Sequence, residues 1–100
     1  MMRQLVRERP KPRVNISGAF IRRSGLEGAD LSHADLSEAD AANSSFRGAD
    51  FENTNLRGTK LQGADLRDAR NLTEEQIRSA VIDERTRLPD HLAHLSPGNS

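Results

Sequence analysis

The sequence has no cysteine, tryptophan or tyrosine, and only three phenylalanines among 100 residues. Without cysteine there is no disulfide framework, no thiolate metal site and no cysteine nucleophile. No apolar run approaches the roughly 20 residues of a membrane-spanning helix, and the arginine-bearing N-terminus lacks the apolar stretch of a secretory signal. A cytoplasmic location without membrane contact is the expectation. Net charge is zero, and Leu, Ile, Val and Phe together make about a fifth of the chain, near the level at which disorder sets in. A small domain already buries little more than half of its unfolded surface. So few large apolar side chains supply a globular core poorly, whereas a narrow continuous core needs fewer.

What the chain does have is a rhythm. From Ile16 onward every fifth residue is apolar: Ile16, Ile21, Leu26, Leu31, Leu36, Ala41, Phe46, Phe51, Leu56, Leu61 and Leu66. At the chain's 34% apolar content, so complete a run has a chance probability on the order of 10⁻⁵. Two residues before each centre stands a small or β-branched residue, from Val14 and Ala19 to Thr59 and Ala64.

A helix, advancing about 100° per residue, spreads such positions around its surface, and a strand sends successive ones to opposite faces. Neither holds them together. The chain must instead turn by a fixed angle at each repeat so that every centre faces one axis. Gly18, Gly28, Gly48, Gly58 and Gly63 fall two residues after a centre, where that turn is needed. Neighbouring Asp, Asn and Ser residues suit the same junctions by bonding locally to turn amides.

The segments GLEGADLSHADLSEAD and FRGADFENTNLRGTKLQGADLRDA resemble the pentapeptide-repeat family. The resemblance implies an all-β solenoid, a short right-handed quadrilateral β-helix of about three coils with four pentapeptides each, closed by a C-terminal α-helical cap. Small and central residues then face inward, and residues one coil apart stack at strand spacing, about 4.8 Å. The implied core stacks are Ile16–Leu36–Leu56, Ile21–Ala41–Leu61, Leu26–Phe46–Leu66 and Leu31–Phe51. Ala41 is the weak rung.

The chain divides into a basic arm (1–13), the repeat (14–72), a capping helix (73–82) and a tail (83–100). The arm carries Arg3, Arg7, Arg9, Lys11 and Arg13 against Glu8, and Pro10 and Pro12 make its end extended. Leu5 and Val6 suit covering of the first edge of the solenoid. At the other end, Leu72, Thr73, Gln76 and Ile77 form a helix-start signature: Thr73 and Gln76 as a capping box, Leu72 and Ile77 as a hydrophobic staple. Ile77, Ala80 and Val81 are expected to share the helix face that covers the last coil. Thr86 and Leu88 suit a short extended stretch, and HLAHL a helical turn.

Function is expected on the outside, where the pattern breaks. The position before each centre is Asp or Asn in the family pattern, yet Phe20 occupies one such site beside Arg22, Asp40 and Ala42. An exposed aromatic next to arginine marks a contact surface. Phe20 and Arg22, with Arg3, Arg7 and Arg9 of the arm, are the candidate interaction residues; the bland reading has the arm or the tail covering Phe20. Asp30 and Asp50 stack in one column with Arg70, too few ligands for a cation, and His91 and His94 make an incomplete metal pair.

Ser32, His33 and Asp35 are close in sequence, but the repeat gives their side chains no reason to converge, and the serine holds a variable outward position. No enzyme activity, cofactor or metal is expected. The expected function is a non-enzymatic protein–protein interaction or assembly module presenting rigid faces to another protein, with homo-oligomerisation through its ends. The alternative, implied by resemblance, is a DNA mimic that binds a type II topoisomerase, DNA gyrase; the basic arm and near-neutral repeat depart from that pattern. Direct nucleic-acid contact is expected only through the arm.

Overall fold

The computed structural model describes residues 14–97. Through the repeat, one local shape recurs. The carbonyl of an apolar centre accepts from the amide three residues on: Ile16 from Ala19 at 3.0 Å, Leu36 from Ala39 at 3.0 Å, Leu66 from Ala69 at 3.1 Å. The third residue of each turn has positive φ, as at Gly18 (71°) and Gly58 (68°). This is the type II turn signature. Arg23, His33, Glu38, Asn43, Asn53 and Asp68 hold the same position at φ between 54 and 62°. Asn and Asp tolerate it through local hydrogen bonding; Arg23, His33 and Glu38 have no such help, and each costs on the order of 1 kcal/mol.

These turns bring the chain back beside itself every twenty residues. Parallel bridges join Asn15 to Asp35 to Asn55, Phe20 to Asp40 to Lys60, Gly25 to Ser45 to Asp65, and Asp30 to Asp50 to Arg70. The register implied by the family resemblance is therefore the one observed, in four columns. Each contact is a single-residue bridge; among the described residues no longer strand forms, because a turn intervenes every five residues.

Leu31, Leu36, Phe46, Phe51, Leu56, Leu61 and Leu66 are buried in one cluster with Ala41. The rings of Phe46 and Phe51, successive centres of one layer, meet at 5.6 Å and 58°. Ile16, Ile21 and Leu26 point into the same cluster but are only partly buried. They sit in the first layer described, with a neighbouring layer on one side. The small inward positions do more than save space. Ser44, Thr54 and Thr59 are buried, and their hydroxyls donate to Ile21 O (2.7 Å), Leu31 O (2.7 Å) and Leu36 O (2.8 Å) in the preceding layer. A buried hydroxyl needs a partner, and this one ties adjacent layers together.

Beyond the repeat, helix α1 spans Glu74–Ser79. The capping box forms as expected: Thr73 Oγ1 accepts from Gln76 N, and Gln76 Oε1 accepts from Thr73 N at 2.8 Å. Leu72 and Ile77 are both buried in the core cluster. The expected helix over 73–82 is corrected at its end. Ala80 is extended (φ −95°, ψ 173°), and its amide closes on Ile77 O. Val81 consequently does not share the helix face. It bridges Lys60 through Leu61 N to Val81 O (2.7 Å) and Val81 N to Thr59 O (2.8 Å). Arg87 then bridges Asp65, and Thr86 Oγ1 donates to Leu61 O at 2.8 Å. The segment Ala80–Leu88 thus adds to two of the four columns. A 3₁₀ helix at Asp90–Leu95 follows, with Leu92 buried, where a helical turn was expected.

Candidate interaction surface

The face built on the Phe20–Asp40–Lys60–Val81 column carries the main outward departure from the repeat pattern. Phe20 is 74% exposed. It occupies a bridge position, whose side chain points away from the axis, while the next centre, Ile21, packs against the core cluster. The Arg22 guanidinium lies 5.8 Å from the centre of the Phe20 ring and 3.8 Å from Asp40 Oδ1. A cation over an exposed ring contributes about 0.5–1 kcal/mol, enough to bias the pair toward one arrangement. The described part of the tail does not cover Phe20. Arg3, Arg7 and Arg9, the other expected interaction residues, lie outside the described residues.

Along the same face a groove of about 330 Å³ is lined by Arg22, Asp40, Ala42, Lys60, Gln62 and Arg85, among others. Arg85 pairs with Asp83 at 3.0 Å. Asp83 is itself anchored, since its Oδ1 accepts from Gly63 N and from Arg85 N, each at 3.0 Å. Burial alone would raise the Asp83 pKa, but these amide bonds and the Arg85 guanidinium more than offset it and hold the carboxyl below its usual range. Arg85 therefore comes to the groove by the layering of Ala80–Leu88, which sequence reasoning missed. The signal was there: Ala80-Val81-Ile82 and Thr86-Arg87-Leu88 repeat the small–any–apolar triad, out of step with the five-residue period.

The other expected groups stay apart or serve the fold. Ser32 is buried, and its hydroxyl donates to Asp30 Oδ1 at 2.5 Å; Asp35 accepts from the Ser37 amide and hydroxyl instead. Those two bonds lower the Asp35 pKa, the hydroxyl more than the amide. The same bonding of an Asp to the amide two residues on recurs at Asp30, Asp40, Asp50 and Asp65, so the aspartates before the centres cap turns. Asp50 also accepts from Asn71 Nδ2 at 2.9 Å, with Arg70 Nη1 4.0 Å away. His91 Nε2 meets Leu72 O at 3.0 Å, whereas His94 lies 3.8 Å from Glu74. The two imidazoles face different partners. Among the described residues no group of three or more metal-ligating side chains occurs, and no helix is long and apolar enough to cross a membrane.

The family model for pentapeptide repeats matches in eight copies over residues 13–48 and 34–70. The chain belongs to the pentapeptide-repeat family. The pentapeptide-repeat fold is a right-handed quadrilateral β-helix, and the twenty-residue bridge register is that of four pentapeptides per circuit. Among solved structures, the chain is similar to alr5209, a pentapeptide-repeat protein from Nostoc Pcc 7120, with 32% identity and a TM-score of 0.59 over 83% of this chain and 76% of that one. It shares its fold with the pentapeptide-repeat protein Rfr23 from the cyanobacterium Cyanothece 51142, at 21% identity and a TM-score of 0.65, covering 74% of this chain. It spans 50% of the length of Rfr23. No curated protein matches the chain.

Proposed function

We propose that this pentapeptide-repeat protein is a non-catalytic interaction module: a rod of about three β-helical coils, capped at its C-terminal end by α1 and the segment after it, that presents a fixed face to another protein. The observation that carries the reading is Phe20, 74% exposed at a bridge position with Arg22 beside it. A backbone held on both sides of each turn by interlayer hydrogen bonds loses little further entropy when a partner docks, which favours binding through few contacts. Exposed aromatics and arginines are the side chains that dominate such contacts.

The test is the Phe20→Ala, Arg22→Ala double variant, compared with the parent chain by partner capture from the native host and by assembly mass. Loss of a complex with an unchanged circular dichroism melt is the expected result. An unchanged complex and mass overturns the reading.

The gyrase-binding alternative finds less support. Acidic columns exist, as at Asp30 and Asp50, but Arg70 completes that one and Lys60 the opposite one, so the described residues do not carry a continuous acidic strip of the kind a DNA mimic needs. A supercoiling assay with purified gyrase and excess protein decides it, and inhibition would restore this reading.

A further inference from the structure

Resting on the interaction reading above, we propose that the Phe20 face binds an extended acidic peptide segment of its partner, with an apolar side chain against the Phe20 ring and carboxylates along Arg22, Lys60 and Arg85.

The four faces differ in charge, and the register makes the difference visible. The face opposite, on the Asp30–Asp50–Arg70 column, gathers Asp30, Asp50 and Glu52 against Arg70. The face on the Asn15–Asp35–Asn55 column has Asp35 and Glu38 against Arg57. The Phe20 face reverses the balance, with Arg22, Arg23, Lys60 and Arg85 against Asp40, Asp83 and Glu84. Two pairs on this face are internal: Asp83 is held by Arg85 and the Gly63 amide, and Asp40, whose Oδ1 accepts from Ala42 N, lies 3.8 Å from Arg22. Arg23 and Lys60 make no ion pair among the described residues. The groove, lined by Arg22, Lys60 and Arg85 against Asp40, is therefore cationic, and Arg22 joins it to the exposed Phe20 ring.

Charge complementarity selects the occupant. The arm, residues 1–13, carries Arg3, Arg7, Arg9, Lys11 and Arg13 against Glu8, the same sign of charge as this face, which makes it a poor occupant. A second copy offers the same cationic face, which disfavours symmetric pairing here. Nucleic acid fits less well than peptide. It carries a phosphate charge at every nucleotide and would place charge against Asp40 in the middle of the face, whereas a peptide can set a neutral residue there. From Phe20 to Val81 the column rises three bridge steps, roughly 14 Å at strand spacing, the reach of about four extended residues.

The full chain is titrated by fluorescence anisotropy with a labelled peptide library in which one Phe or Leu is flanked by Glu and Asp; a charge-inverted Lys library and a single-stranded oligothymidylate serve as comparators. The acidic library is expected to bind, to weaken as salt rises, and to lose roughly tenfold or more in affinity for Lys60→Glu and for Phe20→Ser. Both side chains are exposed, so these variants keep the fold, as a melt verifies. Glu52→Lys on the opposite face is expected to leave binding unchanged. Equal binding of the Lys library, preference for the oligonucleotide, or indifference to Lys60→Glu and Phe20→Ser each overturns the assignment. If the acidic library fails while the Phe20→Ala, Arg22→Ala variant still loses its host complex, the acidic-peptide assignment falls and the interaction surface stands. If that complex survives as well, both fall.

Discussion

The first layer described and the last are built from the same triads and behave differently. At the N-terminal side, Ile16, Ile21 and Leu26 are half-buried and Val14 is exposed. At the C-terminal side Leu56, Leu61 and Leu66 are fully buried, because Ile77 and Ile82 and Leu88 extend their stacks. The inward pattern is common to both, so it does not set burial by itself. A centre is buried when it has a layer on each side, and the C-terminal side obtains its second layer from residues that no longer keep the period.

The sharpest way to test this contrast is along one stack. Leu61→Ala is expected to cost about 2–5 kcal/mol, the range for a cavity in a packed core. Ile21→Ala in the same column, beginning half-exposed, is expected to cost less than half as much. Urea denaturation of both variants checks it. Equal costs mean that the first layer is covered as well as the last.

Gln76 comes next. Its Oε1 completes the capping box, but its Nε2 also donates to Phe51 O and Thr54 O at 2.8 and 2.9 Å. As a capping-box residue alone, Glu would serve there as well as Gln. Set against two carbonyls, a carboxylate loses both bonds, so Gln76→Glu is expected to destabilise by about 1–3 kcal/mol. A neutral result in thermal melts would reduce Gln76 to a local helix cap with no role in closing the layer below.

Smaller effects reside in the turns. Gly18 has φ +71° with open space around the position of a Cβ, so Gly18→Ala is expected to cost about 1 kcal/mol through backbone strain alone. His33→Gly, at φ 61° and exposed, runs the other way and is expected to gain about 0.5 kcal/mol, relief of strain offset by unfolded-state entropy. Paired melts of the two variants should move in opposite directions.

The smallest expected effect is that of pH. Asp35, Asp50, Asp65 and Glu74 are held below their usual pKa, chiefly by side-chain hydrogen bonds from Ser37, Asn71, Arg67 and Arg78, and Asp83 by the amide and guanidinium bonds described above. Groups depressed on folding contribute stability above their unfolded pKa and lose it as pH falls through the folded value. The melting midpoint is thus expected to be flat near neutrality and to fall below about pH 4. Asp35→Asn should blunt that fall, and a midpoint that rises in acid would reverse the assignment.

The sequence by itself determined the periodic part. An apolar centre, a small residue two before it and a turn residue two after it specify one local shape repeated around a common axis, and the family resemblance of those repeats implied the twenty-residue register and four columns. Thr73 and Gln76 likewise announced the start of α1 through local bonds. Tertiary structure decided what depends on stacking. It kept α1 short, because Val81 gains bridge hydrogen bonds to Thr59 and Leu61 that another helical turn would forfeit. It turned Thr54, Thr59 and Thr86 from small fillers into interlayer donors. It also brought Arg85 into the groove with Arg22 and Lys60. Chain order cannot specify that grouping, since residues far apart in sequence become neighbours only when whole layers lie one on another. Phe20 belongs to both accounts: the pattern showed that it breaks the rule, and the fold showed that it stands exposed on a cationic face.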